Sequence, residues 1–362
     1  MTTSVSIDRV TRRFGETTAV DNVTIDIAKG EFFTLLGSSG CGKTTLLRII
    51  AGFLRQTSGT VRFDRKPIDD VPAHRRNTGM VFQNYAIFPH LSVFDNIAYG
   101  LRARRCARAE IDERVGHMLE LIQLAALRNR RPRELSGGQQ QRVVLARAMV
   151  IQPDVLLMDE PLSNLDTSMR VHLRAEIRSL QRQVGITTIY VTHDQEEALL
   201  MSDRVAVMSH GRVEQIATPL DIYNAPLTRF VAGFVGECNM LPGQVVELAH
   251  GKAKVALGEH GLLAADRAAP GLLAGQSCTV AFRPQDAELE PAGDDKGSGL
   301  HGRLVDTQFL GGTLRFVVDI GSGVLVHVAA QRRTGGAIPV LGERYRLDIP
   351  AHAIRLFEPT PP

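Results

Sequence analysis

Apolar and polar positions alternate along the first stretch of the chain: VSIDRV at 5–10 and VTIDI at 23–27 carry the period of two expected of half-buried strands. EFFTLL at 31–36 is an apolar run of strand character, and LLRIIA at 46–51 switches to helical spacing. Further strands are predicted at 59–63 (GTVRF) and 77–83 (NTGMVFQ), with continuous apolar runs at VLLM (155–158) and TTIYVT (187–192). Runs of that kind suit parallel strands buried on both faces. Between Val93 and Val150 the apolar residues recur at i, i+3 and i+4, as in Ile111, Val115, Met118, Leu119 and Ile122, which predicts helices. Another helix is predicted over 168–183, and residues 204–208 and 212–216 read as a strand pair turning at His210-Gly211. From 236 onward the helical pattern gives way to short strands between glycine, proline and acidic turns, PAGDDKGSG at 291–299 among them, which predicts a small all-β barrel domain.

Composition narrows the classes. At 362 residues the chain has room for two or three domains, and 44% hydrophobic with 22% charged residues is a globular balance. Forty-two basic against 39 acidic residues leave a net charge of only +3, which argues against a protein built to coat nucleic acid. No apolar run approaches the roughly 20 residues of a membrane span, and MTTSVSIDRV has no signal-peptide core. Cys41, Cys106, Cys238 and Cys278 are scattered without metal-ligand spacing, as expected of reduced cytosolic thiols.

The chemistry concentrates at GSSGCGKTT, residues 37–45, between the predicted strand and helix. In that context the match to G-x-x-x-x-G-K-[ST] predicts a phosphate-binding loop. Gly37, Gly40 and Gly42 let the backbone of Ser38, Ser39 and Cys41 curl so that its N–H groups face phosphate oxygens, and the helix N-terminus beginning near Lys43 and leading into Thr45 adds positive potential. Lys43 supplies a full charge to the β- and γ-phosphates, and the Thr44 hydroxyl is suited to Mg²⁺. Asp159 and Glu160, directly after VLLM, stand where a metal-holding carboxylate and a base for water are needed. His193 ends the next strand on the same sheet edge. Phe14, in what reads as a loop, is either a base-stacking face or core filler. The cluster of Tyr85, Ile87 and Phe88 after Gln83 is either a docking surface or a buried seam. The basic run at 102–108 reads as a solvated helix face. Ser136, Gly137, Gly138 and Gln139 open a second glycine-rich helix start suited to phosphate, with Ser136 as its cap. One nucleotide in one subunit hardly needs both, which points to a symmetric dimer in which the second start serves the neighbour's nucleotide.

Taken in order and spacing, GSSGCGKTT, Gln83, LSGGQQQR (135–142), VLLMDEP (155–161), SNLD (163–166) and His193 resemble the ATP-binding subunits of ABC transporters over residues 4–235. GECNMLPG (236–243), FRPQDAEL (282–289) and FLGG (309–312) are similar to the β-barrel extension of bacterial importer ATPases of the sugar, polyamine, iron and phosphonate type. The fold so implied is an α/β P-loop ATPase domain at 1–235 with a helical subdomain inserted at about 84–150, followed by an OB-like all-β barrel at 236–362. The resemblance implies ATP and Mg²⁺ as cofactors, with Phe14 on the adenine, Glu160 as hydrolytic base and His193 as γ-phosphate switch. It gives the metal to Thr44, Asp159 and Gln83, the last also bridging to the transporter interface, with Tyr85 to Pro89 near the membrane subunits. Ser136–Gln139 and Asp166 would act across a homodimer interface. It further implies two integral membrane permease subunits, a periplasmic or surface solute-binding protein and a place on the cytoplasmic face of the inner membrane, with no nucleic acid. Polyamine, ferric iron or phosphonate is favoured over sugar as solute. A soluble ABC-type ATPase acting on DNA or ribosomes would call for a long coiled-coil insertion or a second cassette, and a P-loop kinase would leave LSGGQ unexplained.

Overall fold

The computed structural model describes residues 2–84, 86–268, 271–292, 299–332 and 338–359. It divides into two compact units, Met1–Leu227 and Thr228–Pro362.

The first unit opens with β1 (Val5–Phe14) and β2 (Thr17–Ile27), then β3 (Phe32–Gly37), α1 (Lys43–Ala51), β4 (Ser58–Phe63), β5 (Lys66–Pro67) and β6 (Thr78–Val81). Three helices follow, α2 (Val93–Ala103), α3 (Arg108–Leu121) and α4 (Gly137–Met149), in the stretch where helical spacing predicted them. The remainder is β7 (Val155–Asp159), α5 (Thr167–Val184), β8 (Thr187–Thr192), α6 (Gln195–Met201), β9 (Arg204–Ser209), β10 (Arg212–Ala217) and α7 (Pro219–Asn224). β2-β1-β4-β5 form an antiparallel sheet, and β10-β9-β3-β8-β7-β6 a largely parallel one.

The continuous apolar runs are explained by two cores. Along β3, β7 and β8, Phe32, Leu156, Met158 and Tyr190 face the core built with α2–α5. Their neighbours Phe33, Leu35, Val155, Leu157, Ile189 and Val191 face the core built with α1 and the antiparallel sheet. With both faces of the sheet covered, no polar alternation is left to read.

Register then places the chemistry. Leu36 pairs with Thr192, Asp159 with Val191 and Val81 with Met158, so the chain leaves β3, β6, β7 and β8 at one edge carrying Gly37, Gln83, Glu160 and His193. The carboxyl edge of a parallel sheet is where such folds bind ligands.

Phe14 is not on a loop. It ends β1, paired to Thr17, because the hairpin closes tightly through Gly15 at φ 57° and the strand runs further than alternation suggested. The arginines of the basic run at 102–108 are exposed, as a solvated face requires, and two of them tether the end of α2: Arg102 pairs with Asp95 at 2.6 Å, while Arg104 donates to the Asn77 side chain at 2.7 Å and the Ile151 carbonyl at 2.9 Å.

The second unit starts eight residues ahead of the compositional change at 236, with α8 (Arg229–Phe234). Thr228 caps that helix, and Ala232 packs on Ala281 and Phe357. Arg283 donates to the Ala232 and Glu237 carbonyls at 2.9 and 3.1 Å, so the helix folds with the strands after it. Those strands are β11 (Asn239–Ala249), β12 (Lys252–Ala256), β13 (Leu262–Ala265), β14 (Ser277–Phe282), β15 (Glu288–Pro291), β16 (Leu300–Phe309), β17 (Thr313–Asp319), β18 (Leu325–Gln331), β19 (Arg344–Asp348) and β20 (Arg355–Phe357). They form two five-stranded antiparallel sheets, β13-β12-β11-β14-β20 and β15-β19-β16-β17-β18, on a shared apolar core.

Candidate functional site

The loop at 37–45 is shaped by two close approaches. A Cβ on Gly37 would lie 2.4 Å from the Met208 carbonyl oxygen. One on Gly42, which sits at φ 105°, would lie 2.3 Å from that of Ala19. Only glycine lets β3 turn into α1 here. No side chain caps α1, so its first N–H groups remain for an anion in the loop. Lys43 opens the helix and is buried, its Nζ donating at 2.8 Å to each of the Gly37 and Ser38 carbonyls. An ammonium is thereby fixed across the loop.

At the end of β7, Asp159 accepts a 2.8 Å hydrogen bond from the Thr44 hydroxyl. Burial pushes its carboxyl up from the ordinary range and Glu160 adds to this, while the Thr44 bond and the charges of Arg48 and Lys43 pull back. A carboxyl raised in the folded state favours folding at low pH, and that contribution is lost as pH rises through the folded-state value. Asp159→Asn is therefore expected to raise the melting temperature at neutral pH, with the gain shrinking on acidification. Thermal melts across pH check this, and an unchanged melting temperature at neutral pH would contradict it.

Glu160 has a left-handed backbone, φ 44°, which side chains other than glycine adopt rarely. Its N–H donates to the Val191 carbonyl at 3.0 Å, and its own carbonyl accepts from the Ser163 hydroxyl at 3.0 Å. So held, its carboxylate meets His193 Nδ1 at 3.1 Å and Gln83 Nε2 at 3.5 Å. Asn164 donates to the Gln83 carbonyl at 3.0 Å, and Gln141 to the Pro161 carbonyl at 2.7 Å. Neither support could be picked out in the sequence, because each pairs residues far apart along the chain.

Ser136 and Gln139 form a capping box at the start of α4: the Gln139 N–H donates to Ser136 Oγ at 3.3 Å, and the Ser136 N–H to Gln139 Oε1 at 3.0 Å. Among the described residues no hydrogen bond ties 136–139 to the loop at 37–45. Their surroundings are a cleft of about 280 Å³ shared with Ser168, Met169 and His172 at the start of α5. Asp166 caps α5, accepting from the Met169 N–H at 3.0 Å and the Ser168 hydroxyl at 2.7 Å, and these bonds hold its carboxyl below the usual range. Phe14 is 46% exposed, with the Arg12 guanidinium 4.4 Å from its ring centre.

Tyr85 lies outside the described residues. Around it, Asn96 is fully buried and ties down 88–92, its side chain donating to the Phe88, Leu91 and Ser92 carbonyls at 3.1, 3.2 and 2.9 Å. Arg147 donates to the Ala86 carbonyl at 2.9 Å and lies over the Phe88 ring. Ile87 and Phe88 are both half-buried, and Ile87 packs against the core built with α2–α5.

The ABC transporter family model matches residues 20–163, and the TOBE domain model residues 280–357. The chain is 41% identical over 361 residues to the Fe(3+) ions import ATP-binding protein FbpC of Fusobacterium nucleatum, covering 99% of this chain and 94% of that protein. It is 45% identical over 346 residues to the spermidine/putrescine import ATP-binding protein PotA of Rubrobacter xylanophilus, covering 93% and 91%. Among solved structures, cbiO1 from Clostridium perfringens, part of the ABC transporter complex cbiONQ, matches with a TM-score of 0.57 and 31% identity over 60% of this chain and 89% of that one. By these likenesses, which run over nearly its whole length, the chain belongs to the ATP-binding subunits of bacterial ABC importers, ATPases that here carry a C-terminal TOBE domain.

Proposed function

We propose that two copies of the chain close around two ATP molecules, each held between residues 37–45 of one copy and Ser136–Gln139 of the other, and that hydrolysis reopens them to drive solute import. The observation that carries this reading is the Glu160 carboxylate set 3.1 Å from His193 Nδ1 on the sheet edge that also bears the phosphate loop.

Within each site Lys43 neutralises charge on the β- and γ-phosphates and Phe14 stacks on the adenine. The pairing of the Thr44 hydroxyl with the Asp159 carboxylate at 2.8 Å is an all-oxygen donor set, which fits Mg²⁺, an ion that takes few protein ligands beside water and phosphate. Thr44 and Asp159, with Gln83 nearby, would hold that ion, whose charge would offset that of the phosphates. Glu160 takes the proton of the attacking water, and His193 contacts the γ-phosphate and keeps Glu160 aimed. Asp166 works from the opposite copy. Loss of the γ-phosphate removes the contact that Ser136–Gln139 need, and the pair opens.

The opening passes through Gln83 and the segment at 86–89 to two integral membrane permease subunits, which a solute-binding protein supplies. Among the described residues no helix is long and apolar enough to cross a membrane, so the chain would be held at the cytoplasmic face of the inner membrane by those partners. We take the solute to be a polyamine, because relatives named for spermidine/putrescine import reach 47% identity over 352 residues against 41% for the ferric-iron relative. Deleting the chain from its source strain is expected to abolish uptake of labelled spermidine or putrescine and leave ferric-iron uptake intact. The reverse result reassigns the solute alone. Recovery of the chain only on ribosomes or DNA, with no integral membrane partner, would sink the importer reading.

A further inference from the structure

His193 is 53% exposed on its side chain, and among the described residues Glu160 is its one side-chain partner. An imidazole so lightly packed takes its position from the backbone on either side of it. Both flanking residues are held through their side chains. Thr192 Oγ1 accepts from the Asp194 N–H at 2.9 Å and donates to Glu197 Oε2 at 2.7 Å. The Tyr190 hydroxyl donates to the same oxygen at 2.8 Å, and Tyr190, Thr192 and Glu197 are all buried. On the other side Asp194 caps α6, accepting from the Glu197 N–H at 3.2 Å.

Asp194 is also gripped from another element. Arg174, on α5, has a side chain only 7% exposed and donates from Nη2 to Asp194 Oδ2 at 2.9 Å. Arg170, one turn earlier, reaches the same oxygen at 3.4 Å. The second arm of Arg174 meets Glu196 Oε2 at 2.9 Å, but Glu196 is 77% exposed and that pair is screened by solvent. The half-buried Asp194 arm is the one that fixes geometry. α5 starts at the Asp166 cap, about 12 Å and two turns from Arg174 along a continuous helix.

We propose that Arg174 is a positioning residue for hydrolysis: through Asp194 it holds the backbone that presents His193 to Glu160, and it ties that backbone to the helix that begins at Asp166. This deepens the function proposed above and rests on the role given there to His193. In this role Arg174 acts through Asp194 rather than on ATP or the attacking water. If the turn at 163–168 shifts when a second copy approaches, α5 and Arg174 carry the shift to His193 as one body.

The test is a double-mutant cycle on steady-state ATP hydrolysis by the full chain, with Arg174→Met, His193→Ala and the pair. Arg174→Met is expected to lower kcat roughly 10-fold or more, since misplacement by about 1 Å costs on that scale. KM for ATP should stay within about 3-fold, because the nucleotide contacts are untouched. In the His193→Ala background the same substitution should cost less than about 2-fold, the mark of a residue that acts through its partner. Asp194→Asn, which keeps a cap on α6 but gives up the ion pair, should copy Arg174→Met, and it serves as the readout should Arg174→Met fold poorly. Arg174→Lys should recover part of the loss. Losses that multiply in the cycle, or parental kcat in both Arg174→Met and Asp194→Asn beside a slow His193→Ala, would overturn the role of Arg174 alone. A His193→Ala variant at the parental rate would overturn the role of His193, and this proposal with it.

Discussion

Glu160→Gln is expected to leave the chain folded and able to bind ATP while hydrolysis falls by roughly 10²–10⁴-fold, the usual contribution of a general base. The substitution is isosteric, and the turn survives it because it is held by main-chain bonds: the Glu160 N–H to Val191 and its carbonyl from Ser163, both at 3.0 Å. His193 Nδ1, 3.1 Å from the carboxylate, keeps a polar partner in the glutamine side chain. What disappears is a group able to take a proton. The γ-phosphate then stays in place, so the contacts it makes to Ser136–Gln139 of the other copy persist, and gel filtration with ATP should show a stable dimer. Normal turnover together with monomer only would mean that Glu160 is not the base and that ATP is not what joins the copies.

Lys43→Ala should instead act before chemistry. Its Nζ is buried and placed by the Gly37 and Ser38 carbonyls at 2.8 Å, so the charge is already at the loop when phosphate arrives. A hydrogen bond to a charged group contributes about 1.5–3 kcal/mol, so losing one to phosphate should weaken ATP binding by roughly 10- to 150-fold. The change also leaves two carbonyls without their donor, which should lower the melting temperature of the nucleotide-free chain. Fluorescent-nucleotide titration separates the two variants: Glu160→Gln keeps affinity and loses turnover, whereas Lys43→Ala loses affinity. Unchanged binding by Lys43→Ala would contradict the assignment of 37–45 as the phosphate cradle.

Legibility in the sequence followed the range of the interaction. The turn through Gly37 and Gly42 into the helix that Lys43 opens was readable because a loop of this kind is specified within nine residues, strand and helix on either side. The Ser136 cap is settled over three residues, and a capping box is visible in the string itself. Phe14 was placed on a loop because period-2 alternation fades toward the end of β1, while its pairing with β2 continues to Thr17. The second unit begins at Thr228 rather than at the compositional change at 236, because what α8 belongs to depends on Ala281, Phe357 and Arg283 downstream.

By itself, then, the sequence determined which residues could bind phosphate, hold a metal or take a proton, since each need is met by residue type and local spacing. Only the tertiary structure decided how they are aimed. Asn164 under Gln83, Gln141 on Pro161 and Arg174 on Asp194 join positions from 20 to 81 residues apart. Side-chain bonds of that reach leave no periodicity in the chain. They exist only once the parallel sheet has set its register and brought β3, β6, β7 and β8 to a common edge.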